Sequence, residues 1–323
     1  MNHPRHHAPP RRAIAWALLA AALFGASTPL AKLWAAALPA LQAAGLLYAG
    51  SGIGLGIWLL ILGSGKTAPR WPDSAQWPWL LAAIGCGGVV APVLLMLGLA
   101  SVPASSAALL LNLEGVATAT LAWWVFKEAT DRRVMLGMVC VVLGSVALSW
   151  PGADLATRAD TTGAVLIAAA CLAWGLDNNL TRKVADLDPV LLAAAKGLIA
   201  ACVNLTLAAL VGAPMPDVNA ALALMLIGWL GYGVSLVLFV LALRGLGAAR
   251  TGAYFGLAPF MGAALGLALG DTPTAALLLA AGLMGVGLWL HLTEHHEHPH
   301  WHGDLLHSHP HYPDHEHQHK HPR

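Results

Sequence analysis

The stretch AIAWALLAAALFGASTPLAKLW, residues 13 to 34, carries a single charged side chain, Lys32. At 1.5 Å per residue a helix of that length reaches about 33 Å, enough to cross a hydrocarbon core of roughly 30 Å. Runs of the same kind recur along the chain: Leu41 to Leu62, Trp79 to Ala100, Ser105 to Phe126, Val134 to Trp150, Thr162 to Leu180, Val190 to Val211, Ala220 to Leu243, Thr251 to Leu269 and Pro273 to His291. In lipid, backbone groups have to be satisfied within their own segment, so runs this long and rich in Ala, Leu and Gly predict helices rather than barrel strands. The fold class expected is all-α and integral to a membrane, with ten transmembrane helices. Composition agrees: 58% of residues are hydrophobic and 10% charged, against about 25% charged in a soluble domain.

A formal net charge of +1 offers no basic surface for nucleic acid. Cys86, Cys140, Cys171 and Cys202 lie within apolar runs without metal or redox spacing and read as small packing residues. The basic N-terminal stretch ahead of the first run resembles a leader. That run is as long as a full span and has a counterpart later in the chain, so it is expected to be retained.

Orientation follows from Lys and Arg in the short loops. One set of connections holds Arg5, Arg11 and Arg12, then Lys66 and Arg70, Lys127, Arg132 and Arg133, Arg182 and Lys183, and Arg244 and Arg250; the alternate set holds little beyond Arg158. The first set is expected to face the cytoplasm, and an even number of spans puts both termini there. Laying the first span on the sixth with Gly25 over Gly175 also sets Phe24 over Trp174, Leu30 over Leu180, Lys32 over Arg182 and Pro39 over Pro189. Five spans separate the matched segments, and five is odd, so the halves are expected to lie inverted in the membrane, an architecture that builds a central site between them. The organisation expected is a cytoplasmic N-terminal segment 1–12, a first repeat 13–150, an extracytoplasmic linker 151–161, a second repeat 162–291 and a disordered His-rich cytoplasmic tail 292–323.

The stretch SSAALLLNLEGVATATLAWWVFKEATDRRVMLGMVCVVLGSVALSW, Ser105 to Trp150, resembles the repeat signature of the EamA family in the drug/metabolite transporter superfamily. Its marks are Glu114, the pair Trp123 and Trp124, Glu128 at the helix end, Gly137 and Gly144. The second half carries them more weakly, with Pro259 against Gly115, Asp271 against Glu128 and Gly287 against Gly144; AWGLDNNLTRK, from Ala173 to Lys183, resembles the first helix of such a repeat. The resemblance implies a ten-helix permease of the inner membrane, a secondary transporter of small solutes or metabolites and commonly an exporter. Family members commonly have proline after the glutamate, where this chain has Gly115; glycine also weakens a helix there.

An ionisable group within a span costs several kcal/mol unless it faces the protein interior, so each is a candidate for function. Glu114 lies about 18 Å from the cytoplasmic end of its span, near the midplane. It suits a cation, a substrate amine or a coupling proton, or else an interhelical hydrogen bond. Asp177 and Lys196 sit in adjacent antiparallel spans, both about 9 to 10 Å deep, and can form an ion pair that either fixes two helices or meets the solute. Asn178, Asn179 and Asn204 add amides near that depth. Trp174, Tyr254 and Trp124 either line a cavity or serve as packing and interface residues. Lys32 reads as a snorkelling anchor near the outer end of its span.

From His291 onward lie 13 of the 16 histidines. His295, His296, His298, His300, His302, His307, His309, His311, His315, His317, His319 and His321 make the tail a ligand for divalent Zn, Ni, Co or Cu, as a metal buffer or sensor, or else as a polar tail without a cellular role. No other cofactor is expected. The spans before His291 lack histidine, which disfavours a dedicated transition-metal pore. An intramembrane hydrolase would need a Ser–His pair, facing aspartates or an HExxH zinc helix, and a nucleotide-driven pump a GxxxxGK[ST] loop; the spans lack histidine, Asp177 is the only aspartate well inside one, and no GxxxxGK[ST] loop occurs, so no enzyme activity is expected. A passive channel and a metal-regulated scaffold stay open, as does the oligomeric state.

Overall fold

The computed structural model describes residues 11–62, 71–126, 132–150, 161–292, 297–302 and 305–310. Apart from connecting turns and loops, the described residues are helical, with two short strands near the C-terminus. The helices run α1 (Arg11–Ala35), α2 (Ala40–Leu62), α3 (Trp77–Leu99), α4 (Ala104–Val125), α5 (Arg132–Ser149), α6 (Thr161–Thr181), α7 (Pro189–Leu210), α8 (Val218–Leu246), α9 (Arg250–Ala268) and α10 (Ala275–Leu292). Each overlaps an expected span to within a few residues. Among the described residues, nine are long and apolar enough to cross a membrane by length and composition; the apolar part of α10, Ala275–Leu290, is shorter.

Large apolar side chains such as Leu60, Ile61, Leu210, Leu278 and Trp289 stand exposed on the outside. Soluble monomers rarely present so much contiguous apolar surface, and here lipid is the solvent that accounts for it. Trp124, weighed above as a cavity residue, belongs to this outer surface, being 69% exposed.

Helix packing repeats between the halves. Contacts of α4 with α6 match those of α9 with α1, contacts of α3 with α6 match those of α8 with α1, and contacts of α2 with α8 match those of α7 with α3. The pairs α2–α7, α5–α10 and α4–α9 map onto themselves when helix n is exchanged with helix n+5. Local irregularities repeat as well. Both α3 and α8 pass through a glycine-rich π-helical segment, Ile84–Val90 and Trp229–Val234, and such segments free backbone carbonyls for other partners. Both α4 and α9 are broken in mid-course: α4 after Leu110 with restart at Leu113, α9 after Phe255 with restart at Ala258. The first break falls just N-terminal to Gly115, close to where the sequence leads one to expect it.

Gly25 and Gly175 are matched close approaches in this scheme. A Cβ on Gly25 would strike the Ala258 carbonyl of α9, and one on Gly175 would strike Ala117 and Thr118 of α4. Small residues of this kind let membrane helices pack backbone to backbone. In the same way Gly144 meets Ala280 while Gly287 meets Gly137, as required if Gly287 is the counterpart of Gly144.

Lys32 is partly buried and is held by backbone at the outer end of its span. Its Nζ donates to the carbonyls of Leu99 (2.6 Å) and Val102 (2.7 Å), at the end of α3, where a helix leaves carbonyls unsatisfied. Beside it, Asp271 Oδ2 accepts from the Ser105 N–H at the start of α4 (2.6 Å). The four cysteines are free, and Cys171 Sγ donates to the Leu110 carbonyl at the α4 break (3.7 Å).

Within the tail, β1 (Glu297–His302) and β2 (Leu305–Pro310) run antiparallel, with His298 opposite His309 and His300 opposite His307. The side chains of His298, His300, His302, His307 and His309, and the remaining tail histidines altogether, lie outside what is described.

Candidate functional site

The break in α4 sets Glu114 in the first turn of the following helical piece, where the unsatisfied N–H groups of a helix start lie near an acidic side chain. Its Oε1 accepts from Asn178 Nδ2 (3.0 Å), and that amide also donates to Thr118 Oγ1 (3.1 Å). One helical position away on α6, Asp177 Oδ1 accepts from Lys196 Nζ of α7 (2.5 Å) and from Thr181 Oγ1 (2.9 Å), and Lys196 reaches Thr181 Oγ1 as well (3.2 Å). The ion pair anticipated from equal depth is therefore present. It is buried, with side-chain exposures of 16% for Lys196 and 10% for Asp177.

Glu114, Asp177, Asn178 and Trp174 line one cavity of about 360 Å³ between the halves. Five more rings stand on its wall, between leucines and the small residues Ser27, Thr28, Gly231 and Ser235; the Ser27 and Ser235 hydroxyls donate to the Phe24 and Ala20 carbonyls. Rings run in contact from Tyr48 to Tyr232 (5.9 Å between centroids), Tyr232 to Phe24 (6.1 Å), Phe24 to Phe255 (5.3 Å) and Phe255 to Phe239 (4.9 Å). The π-helical segment of α3 orients this wall. The Gly87 carbonyl accepts from both Tyr48 Oη (2.6 Å) and Trp174 Nε1 (2.9 Å). With their polar ends held by backbone, the two residues offer mainly ring surface to the cavity.

A second cavity, of about 280 Å³, adjoins the first and shares Phe24, Thr28, Leu111, Glu114 and Phe255 with it. It continues between α1, α4, α5, α9 and α10 along Ala108, Val141, Pro259 and Leu288. Glu114 is the one ionisable residue on its lining.

Not every expected site residue faces this space. Asn179 Nδ2 donates to the Thr118 carbonyl (3.1 Å) and the Gly175 carbonyl (2.8 Å), and fully buried Asn204 donates to the Gly88 carbonyl (2.9 Å). Both tie helices together, Asn179 through Thr118 and Asn204 through Gly88, because a buried amide has to find acceptors and backbone carbonyls are the ones at hand. Tyr254 lines neither cavity; its neighbour Phe255 does. Tyr48, Tyr232, Phe24, Phe239, Phe255 and Thr118 are site residues that motif reading missed, although Phe24 is legible through its alignment with Trp174. Among the described residues no three His, Cys, Asp or Glu side chains come together as a metal site.

An "uncharacterized transporter" of Methanothermobacter thermautotrophicus is 30% identical over 185 residues, covering 54% of this chain. The chain spans about half the length of that relative, 52%. A solved structure, titled only as the crystal structure of a protein, superposes with a TM-score of 0.63 over 85% of this chain and 95% of its own at 20% identity, a likeness of fold. The family model for EamA-like transporters matches residues 11–150 and again 161–293, one match to each half of the packing symmetry. The chain is a multi-pass membrane protein and belongs to the EamA-like transporter family.

Proposed function

We propose that this chain is a secondary permease that moves a small solute across the inner membrane by alternating access, with all ten helices crossing, both termini cytoplasmic and the solute held between the halves. The observation that carries this reading is the exchange of helix n with helix n+5 in packing, bulges and breaks, centred on a cavity with a carboxylate at its edge. Two halves related in this way have two equivalent ways of closing around one site, and rocking between them opens it to each side in turn. The loop charges support the orientation, and export is the direction the family resemblance implies. The test is an untargeted comparison of small molecules inside and outside cells with and without the protein. One or more metabolites should accumulate outside expressing cells; unchanged metabolite pools on both sides, with the protein inserted, would remove the reading.

A second reading, divalent-metal homeostasis, is favoured by the histidine density of the tail. Cells carrying a chain cut after Leu290 are expected to lose any metal tolerance that the full chain confers. If neither form changes metal tolerance or content, that reading falls.

A further inference from the structure

We infer that the solute is a monovalent organic cation with an apolar or aromatic body, its charged head held at Glu114 against the ring wall and its body extending into the adjoining cavity. This rests on the permease reading and adds the chemical class of the cargo.

Charge comes first. The ionisable acids on the two linings are Glu114 and Asp177. Asp177 is matched by Lys196, so the pair is formally neutral. Among the described residues, the side-chain hydrogen bond to Glu114 comes from the neutral amide of Asn178, and Lys32 is engaged with carbonyls at the end of α3. The formal charge left over is −1, which one positive charge on the solute would balance.

The wall makes the same selection independently. Tyr48 and Trp174 have their polar ends turned to the Gly87 carbonyl, and Phe24, Phe239 and Phe255 have none. Ring faces attract a cation and offer nothing to an anion. The second cavity, whose lining is apolar apart from Thr28, Asn112 and Glu114, gives an apolar body room beside the carboxylate.

The test uses the purified full chain in detergent and three water-soluble probes: benzyltrimethylammonium, phenylmethanesulfonate with a like-shaped head of opposite charge, and tetramethylammonium without the ring. Equilibrium dialysis should show saturable binding of benzyltrimethylammonium, at least about tenfold tighter than either other probe. Glu114→Gln should weaken it about tenfold or more, and Tyr232→Leu should weaken it severalfold. Should Glu114→Gln fail to fold, the wild-type preference for cation over anion and the Tyr232→Leu result decide the matter. Equal or tighter binding of phenylmethanesulfonate, or no saturable binding of the cation, overturns the inference. If solute export is intact in that case, the permease reading survives it; absence of export from cells sinks the permease reading separately.

Discussion

Replacing Lys196 by Met is expected to lower the stability of the protein by about 3 to 5 kcal/mol, the cost of stranding one member of a buried ion pair. Asp177 would keep only the Thr181 hydroxyl of its two donors. In detergent the melting temperature should fall on the order of 10 °C. The double variant Asp177→Asn with Lys196→Met separates two roles. It removes both charges together, so stability should return to near the parent value, since a neutral replacement of a buried pair is often no worse than the pair. Transport should nevertheless stay at least about tenfold below the parent, because Asp177 is part of the cavity wall as well as a tie between α6 and α7. Full recovery of transport by the double variant would reduce the pair to a helix fastener.

The second large effect is at Glu114. Glu114→Gln keeps size and hydrogen-bonding capacity, and Asn178 can still donate to the new amide oxygen, so the fold and insertion should be unchanged. What is lost is the one unpaired formal charge on the cavity lining. A charge-assisted contact contributes about 1.5 to 3 kcal/mol, so transport by reconstituted protein should fall roughly 10- to 150-fold. Equal rates for parent and variant, at equal reconstitution, would take Glu114 out of the mechanism.

The sequence is most informative where the physics is one-dimensional. Span length against bilayer thickness needs no tertiary contacts, so the apolar helices were legible, and with them the repeat that lays Gly25 over Gly175. The ion pair was legible too, because depth along two antiparallel helices can be counted. Rotation about each helix axis cannot be counted in the same way. Asn178 and Asn179 are neighbours at equal depth, yet one meets Glu114 and the other ties to the Thr118 and Gly175 carbonyls. The same 100° step puts Phe255 in the wall and Tyr254 outside it. The ring wall needed five helices to assemble, and the double acceptor at Gly87 arises from a π-helical segment that no residue pattern announces. Lys32 stands at the outer end of its span as depth counting has it, but its partners, the carbonyls at the end of α3, come from tertiary packing.

The arrangement of the two halves is tested most directly by attaching a membrane-impermeant label to single cysteines at positions 66, 158 and 182 in an otherwise cysteine-free chain in intact cells. The account predicts that 158 is labelled from outside, and that 66 and 182 react only once the membrane is opened. Labelling of 66 and 158 from the same face would contradict it.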